Sequence, residues 1–122
     1  MGQYWKVFNL DKKELLHPHR FGDGLKFLEF GFSSGGTMSA LAYLLAVPSS
    51  MGSGGGDAHV SEWCGHWIAD HIAIIGDCTQ DPEYGSAYDS EEYKDISLLV
   101  REEIVKYIST FTAWAEARAS RG

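Results

Sequence analysis

Apolar and polar residues alternate along the N-terminal quarter of the chain in a pattern that predicts a β-hairpin. Residues 3–9 are rich in aromatic and β-branched side chains, which favours a strand. After a polar break, residues 14–19 are suited to return as the second strand. Residues 21–24 (Phe-Gly-Asp-Gly) are a turn signal. Residues 25–32 fit either a short helix or a strand.

The next segment, residues 37–47, predicts a helix. Nearly every residue in it is apolar or a good helix former, and Pro48 follows it, where a helix is expected to stop. Because the segment is apolar on every side, we expect most of its surface to be buried. Residues 48–56 contain four glycines and predict a flexible loop.

Residues 67–78 are the best candidate for a central strand. Counting by twos places Ile68, Ile72 and Ile74 on one face, and Asp70 falls on that same face. A carboxylate among isoleucines needs a partner. Asp70 is therefore either a charge that reaches solvent at a strand end or a buried functional acid.

The C-terminal segment predicts a long amphipathic helix that continues to about residue 118. Its apolar residues recur at helical spacing and form one stripe: Ile96, Val100, Ile104, Tyr107, Ile108, Phe111, Trp114 and Ala115. Asp95 is suited to cap its N-terminus. Leu98, Leu99 and Val105 lie off the stripe and leave apolar surface for a second contact, such as another subunit in a homo-oligomer.

Together these elements predict a single α+β domain over residues 1–122. A small β-sheet that contains the N-terminal hairpin is expected to be covered by the buried helix and by the long C-terminal helix. The chain length of 122 residues is close to the commonest domain size.

Charge is distributed unevenly and limits the possible partners. Residues 27–93 contain ten acidic side chains and no Lys or Arg, although the net charge of the whole chain is only −7. A nucleic-acid interface needs several basic side chains along one face, so we expect no nucleic-acid partner. No apolar run is long enough to span a membrane. The opening residues lack the pattern of a secretory signal, and there are two cysteines, so a cytoplasmic protein is expected.

A glycine-rich segment before the 37–47 helix predicts an anion-binding site. Glycines followed by a helix N-terminus present backbone N–H groups to a phosphate or carboxylate. The segment is similar in spacing to a P-loop but lacks the lysine that nucleotide hydrolysis requires. The candidate ligand-binding residues are His17, His19, Arg20, Lys26, Ser33, Ser34, Gly35, Gly36, Thr37 and Asp70. This pattern favours a non-catalytic module that binds a small anionic or nucleotide-like ligand and needs no cofactor.

A second hypothesis is a metal-dependent hydrolase. Asp57, His59, Cys64 and His66 are all residue types that bind zinc, although their spacing matches no standard zinc pattern. No serine-hydrolase elbow and no recognisable context for a catalytic cysteine are present, which weighs against an enzyme.

A third hypothesis is a protein-interaction module. Residues 77–92 are acidic and rich in turn-forming residues, which predicts a solvated loop. Such a loop, with the C-terminal helix, could dock a basic partner.

Two segments resemble a group of small bacterial and fungal proteins that have no established activity. The first runs from Met1-Gly2-Gln3-Tyr4-Trp5 through residues 9–14 to Pro18-His19 and residues 24–26. The second is residues 67–77, which are similar to the Trp-Ala-Gly-Asp-Arg-Ile type of strand in that group. Here Ile68 and His71 stand where small and basic residues are expected. The resemblance implies a free-standing domain and transfers no catalytic residue.

Overall fold

The computed structural model describes residues 3–32, 35–48 and 61–105 of the chain and has an α+β fold. The strands are β1 (Trp5–Asn9), β2 (Glu14–Leu16), β3 (Ile72–Gly76) and β4 (Lys94–Asp95). The helices are α1 (Phe27–Gly31), α2 (Thr37–Leu45), α3 (Pro82–Tyr88) and α4, which is described over residues 97–105. A 3₁₀ turn at Pro18–Phe21 follows β2.

The strands form one mixed sheet in the order β3-β1-β2-β4. β1 pairs antiparallel with both β2 and β3, and β2 pairs parallel with β4. Val7 in β1 lies opposite Leu16 on one side and Ile74 on the other. The predicted N-terminal hairpin is therefore confirmed, with a second strand that ends at Leu16 because Pro18 begins the 3₁₀ turn.

Both faces of the sheet are packed, because alternate residues of β1 point to opposite sides. Val7 belongs to the larger apolar cluster, which includes Trp67 and side chains from α1, α2 and α4. Phe8 belongs to a smaller cluster with Ile75 and Ala87 of α3. The sheet thus separates a larger core from a thin layer under α3.

The prediction of a helix at 37–47 is confirmed over Thr37–Leu45, but its burial is one-sided. Ala40, Tyr43 and Leu44 are buried, whereas Leu45 is exposed. The segment is apolar on every side, yet within the described residues only one side packs against the sheet. Residues 25–32, for which two structures were possible, form the short helix α1.

The prediction of a central strand over residues 67–78 is wrong in its first half. Residues 62–70 form turns, and the strand is limited to Ile72–Gly76 at an edge of the described sheet. Gly65 and Ala69 have left-handed backbones, with φ of 75° and 66°, which interrupt an extended conformation. Asp70 therefore precedes the strand and does not lie on its isoleucine face.

The described part of the C-terminal helix confirms the predicted stripe. Ile96, Val100 and Ile104 are buried, and Leu98 and Leu99 are exposed. The Asp95 carboxylate accepts a hydrogen bond from Ser97 N at 2.9 Å, at the start of α4. The rest of the stripe lies outside the described residues. Among the described helices, none is long and apolar enough to cross a membrane.

Candidate binding groove

The predicted anion site at the start of α2 contains an internal carboxylate. Asp23 Oδ2 accepts hydrogen bonds from Thr37 N at 2.8 Å and from Thr37 Oγ1 at 2.7 Å. Gly35 N donates to Ser39 Oγ at 2.7 Å. Ser33 and Ser34 lie outside the described residues. Three of the donors that a phosphate would use therefore already have partners within the chain.

The basic candidates of this site lie on or near the 3₁₀ turn. The His17 and His19 rings are 5.3 Å apart, and Arg20 Nε lies 3.6 Å from Asp95 Oδ2. Burial, and then the charge of Lys6, lowers the pKa of His17 below its ordinary value of 6.5, so its neutral form is favoured. Lys26 is exposed at the start of α1.

Asp70 lies apart from these residues, beside the turn that joins β1 to β2. Its Oδ2 accepts hydrogen bonds from Lys12 Nζ at 2.5 Å and from Asn9 Nδ2 at 2.8 Å. Both bonds lower the pKa of Asp70 below its ordinary value of 3.8. Asn9 is fully buried, and its Oδ1 accepts from the Asp11 and Lys12 amides. Asp70 therefore helps to fix the 62–70 turns to the hairpin.

The candidate zinc ligands are only partly described, and those that are have other partners. Cys64 is buried and its thiol donates to Ala46 O at 3.7 Å. His66 Nε2 lies 3.0 Å from Glu14 Oε1, which also accepts from Trp67 Nε1 at 2.8 Å. Asp57 and His59 lie outside the described residues. Within the described ranges, no three His, Cys, Asp or Glu side chains are close enough to hold a metal ion.

The acidic stretch 77–92, predicted as a loop, contains the helix α3. Asp81 caps this helix, since its Oδ1 accepts from Glu83 N at 2.9 Å and from Tyr84 N at 3.3 Å. Pro82 occupies the first helical position, where its fixed φ and missing N–H are favourable. The prediction of a loop is wrong over this helix: its central glycine and serine disfavour a helix, but the cap and the proline favour its start.

A groove of about 400 Å³ runs between α3, the 90–93 segment and the β1–β2 turn. Its lining residues are Leu10, Lys13, Glu83, Ser86, Ala87, Ser90, Glu92 and Tyr93. Glu83, Ser86 and Ala87 follow each other at spacings of three and one residues, which places them on one side of α3, and Ser90 lies just after the helix ends.

Aromatic packing fixes the base of the groove. The Tyr93 ring packs edge-on against buried Phe8, with ring centroids 5.4 Å apart. Beside it, Lys94 N donates a hydrogen bond to Lys13 O at 2.9 Å, which holds the Lys13 backbone against β4. Tyr93 and Lys13, which line the groove, are therefore held in place by contacts with the strands of the sheet.

Lys13 is the basic residue of the groove lining. Its Nζ lies 3.6 Å from Glu92 Oε2 and 5.1 Å from the centroid of the Tyr93 ring. Both side chains of this ion pair are more than half exposed, so the pair is weak and free to rearrange. The Tyr93 face and the Glu92 carboxylate are thus arranged to receive a cation.

Sequence reasoning identified the acidic residues of this region but missed Leu10, Lys13 and Tyr93. These three come from separate segments that only the sheet brings together. Ser86 could have been found, because Asp81-Pro82 is a helix-start signal and the helical spacing then places Ser86 beside Glu83.

Comparison of the chain with models of known protein families, with curated proteins and with solved structures found no match.

Proposed function

We propose that this protein is a non-catalytic binding module that receives a basic segment of a protein partner in the groove between α3 and the β1–β2 turn. The observation that carries the proposal is the pairing of two carboxylates, those of Glu83 and Glu92, with an aromatic face in one concave site. A lysine or arginine side chain has the charge and the apolar stem that such a lining binds.

The size and lining of the groove suit side-chain recognition. Its volume of about 400 Å³ is at the lower end of the range for small-ligand sites. The Ser86 and Ser90 hydroxyls add hydrogen-bonding groups beside the carboxylates. Lys13 above Tyr93 already shows one cation at this ring, and an incoming basic side chain would compete with it for Glu92.

The surrounding charge favours the same partner. Residues 77–93 contain six acidic side chains and no Lys, Arg or His. A surface of one sign attracts an oppositely charged partner and accelerates its association, and the effect decreases as salt is added. We therefore expect binding that weakens with ionic strength.

Binding of a small anion at the start of α2 has less support from the geometry, because Asp23 accepts the Thr37 donors there. Hydrolysis by a bound metal has less support as well, because Cys64 and His66 contact Ala46 and Glu14. In the acidic groove, binding would displace only the exposed and weak ion pair of Lys13 with Glu92.

The test is a titration of fluorescein-labelled oligolysine into the full chain, followed by fluorescence anisotropy. We expect Glu83→Gln and Glu92→Gln each to weaken binding about tenfold, which corresponds to about 1.4 kcal/mol. Glu62→Gln is the matched control, because it removes one exposed acidic charge that does not line the groove.

Two results would contradict the proposal. One is equal affinity for oligoglutamate and oligolysine. The other is an equal loss in all three variants, which would show a response to net charge and not to the groove.

A further inference from the structure

The outer edge of β3 is unpaired among the described residues. β3 is the first strand in the order β3-β1-β2-β4, so one of its sides meets β1 and the other meets no described strand. Its sequence, Ile-Ala-Ile-Ile-Gly, has strong β propensity and no charge. A strand edge of this kind is a template for pairing with another strand.

The register of β1 and β3 fixes which backbone groups point outward. Leu10 N donates to His71 O at 2.9 Å, and Asp77 N donates to Tyr4 O at 2.9 Å. In an antiparallel ladder the hydrogen-bonded residues alternate, so His71, Ala73, Ile75 and Asp77 bond to β1. The amides and carbonyls of Ile72 and Ile74 therefore face away from the sheet.

We propose that two copies of this chain associate through antiparallel pairing of β3 with β3, with the two-fold axis at Ile74. Ile74 of each copy then exchanges both backbone hydrogen bonds with Ile74 of the other. Ile72 lies opposite Gly76, whose carbonyl also accepts a hydrogen bond from Thr79 N at 3.1 Å within its own chain. The contact is isologous, because the same residues act on both sides, and it joins the two sheets into one.

The facing of an imidazole and a carboxylate identifies a second copy as the occupant, and the attraction between them requires the imidazolium form of His71, because Nδ1 already donates to Asp11. With the axis at Ile74, His71 of one copy lies opposite Asp77 of the other, and the pair occurs twice. It falls at a non-hydrogen-bonded position of the ladder, where facing side chains are closest. The His71 ring is 83% exposed and is held by Asp11 through Nδ1, so its Nε2 is oriented away from that contact.

An apolar recess lies beside the same strand. A cavity of about 210 Å³ is lined by Ala73, Ile74, Ile75, Thr79 and Tyr84. Ala73 of one copy lies opposite Ile75 of the other in the proposed register. Pairing would therefore join the two recesses across the axis and remove their apolar walls from water.

The first experiment measures the mass of the full chain by sedimentation equilibrium over a range of concentrations. We expect twice the chain mass at high concentration and the single mass on dilution. In the same samples, amide hydrogen exchange should show Ile72 and Ile74 protected only in the dimer. A single mass at every concentration would overturn the proposal, and so would a dimer in which these two amides stay unprotected.

Variants then test the register. Ile74→Pro removes an outward-facing amide without removing a hydrogen bond to β1, and it should abolish the dimer. Asp77→Asn keeps an acceptor for Tyr4 N but loses the charge, and it should weaken dimerisation severalfold. Asp89→Asn, an exposed site outside β3, is the matched control and should leave the dimer unchanged. Equal effects of Asp77→Asn and Asp89→Asn would refute the proposed register.

Discussion

Gly65 and Gly22 share a left-handed backbone but differ in their surroundings. Their φ angles are 75° and 81°. A Cβ at Gly22 would meet no atom within 4 Å, whereas a Cβ at Gly65 would lie 2.7 Å from Ala46 O and 3.0 Å from Pro48. The pair therefore separates the cost of the backbone conformation from the cost of a close contact.

We predict that Gly22→Ala lowers the free energy of unfolding by about 1 kcal/mol, through the left-handed conformation alone. Gly65→Ala should lower it by about 2 kcal/mol or more, because Ala46 or Pro48 must also move. Urea unfolding of both variants measures the difference. Equal losses would show that the end of α2 adapts freely around residue 65.

For single residues, the sequence shows which side chains could form polar contacts but not which residues they contact. Asp70 does have partners, but not for the reason that the sequence suggested, because it precedes β3 and does not lie among the isoleucines, and the sequence did not indicate Lys12 and Asn9. They come from a turn about 60 positions away, and only the β1–β3 register brings them together. Cys64 and His66 are close in sequence, yet their contacts lie with Ala46 and Glu14.

Among the elements, α2 depends on a cap from a distant segment. Gly36 precedes the helix and has no side chain to cap it, so Asp23 supplies the carboxylate from the loop before α1. A Cβ at Gly36 would lie 2.5 Å from Asp23 Oδ2, which explains why glycine stands there.

We predict that Asp23→Ala lowers the free energy of unfolding by about 1–2 kcal/mol, the usual effect of losing a helix cap. Asp23→Asn should lose less, because its amide oxygen can still accept from Thr37. Thermal unfolding followed by circular dichroism measures both variants. If the alanine variant were as stable as wild type, Asp23 would not be a functioning cap.

The elements themselves were predicted to different degrees, for physical reasons. The hairpin and α2 follow from local pattern and from Pro48, and the structure confirms both. The 62–70 turns were not predicted, because a short apolar run such as the one containing Trp67 and Ile68 has the same sequence pattern in a buried strand and in a buried turn. The helix α3 was not predicted, because the acidic and turn-forming residues of 77–92 favour a loop, although Asp81 and Pro82 are a helix-start signal.

For the whole molecule, three groups make stability depend on pH in the same direction. The pKa values of Asp70 and Asp11 are both lowered, so below 3.8 the unfolded chain takes up protons that the folded chain does not. The His17 pKa is lowered from 6.5 in the folded chain, so as the pH falls below 6.5 the unfolded chain binds a proton at this residue that the folded chain does not yet bind. Stability therefore falls as pH falls in both ranges.

We predict two separate decreases in the free energy of unfolding on acidification, one beginning near pH 6.5 and one near pH 3.8. His17→Asn should remove the first while keeping an acceptor for His19 N. Asp70→Asn should reduce the second without removing it, because the lowered pKa of Asp11 still contributes there. Urea unfolding at a series of pH values and constant ionic strength measures this. A stability that increased as the pH was lowered through 6.5 would contradict the sign derived for His17.

The position of β1 in the sheet has a consequence for how the chain acquires its structure during synthesis. β1 and β2 are close in sequence and can pair as soon as both leave the ribosome, but an isolated hairpin is only marginally stable in water. The other edge of β1 cannot pair until β3 has been synthesised, more than 60 residues later. The larger core also lacks Trp67 until that stage. Closing that long loop is entropically costly before its contacts form. The N-terminal strands therefore gain lasting structure late, after most of the chain has been translated.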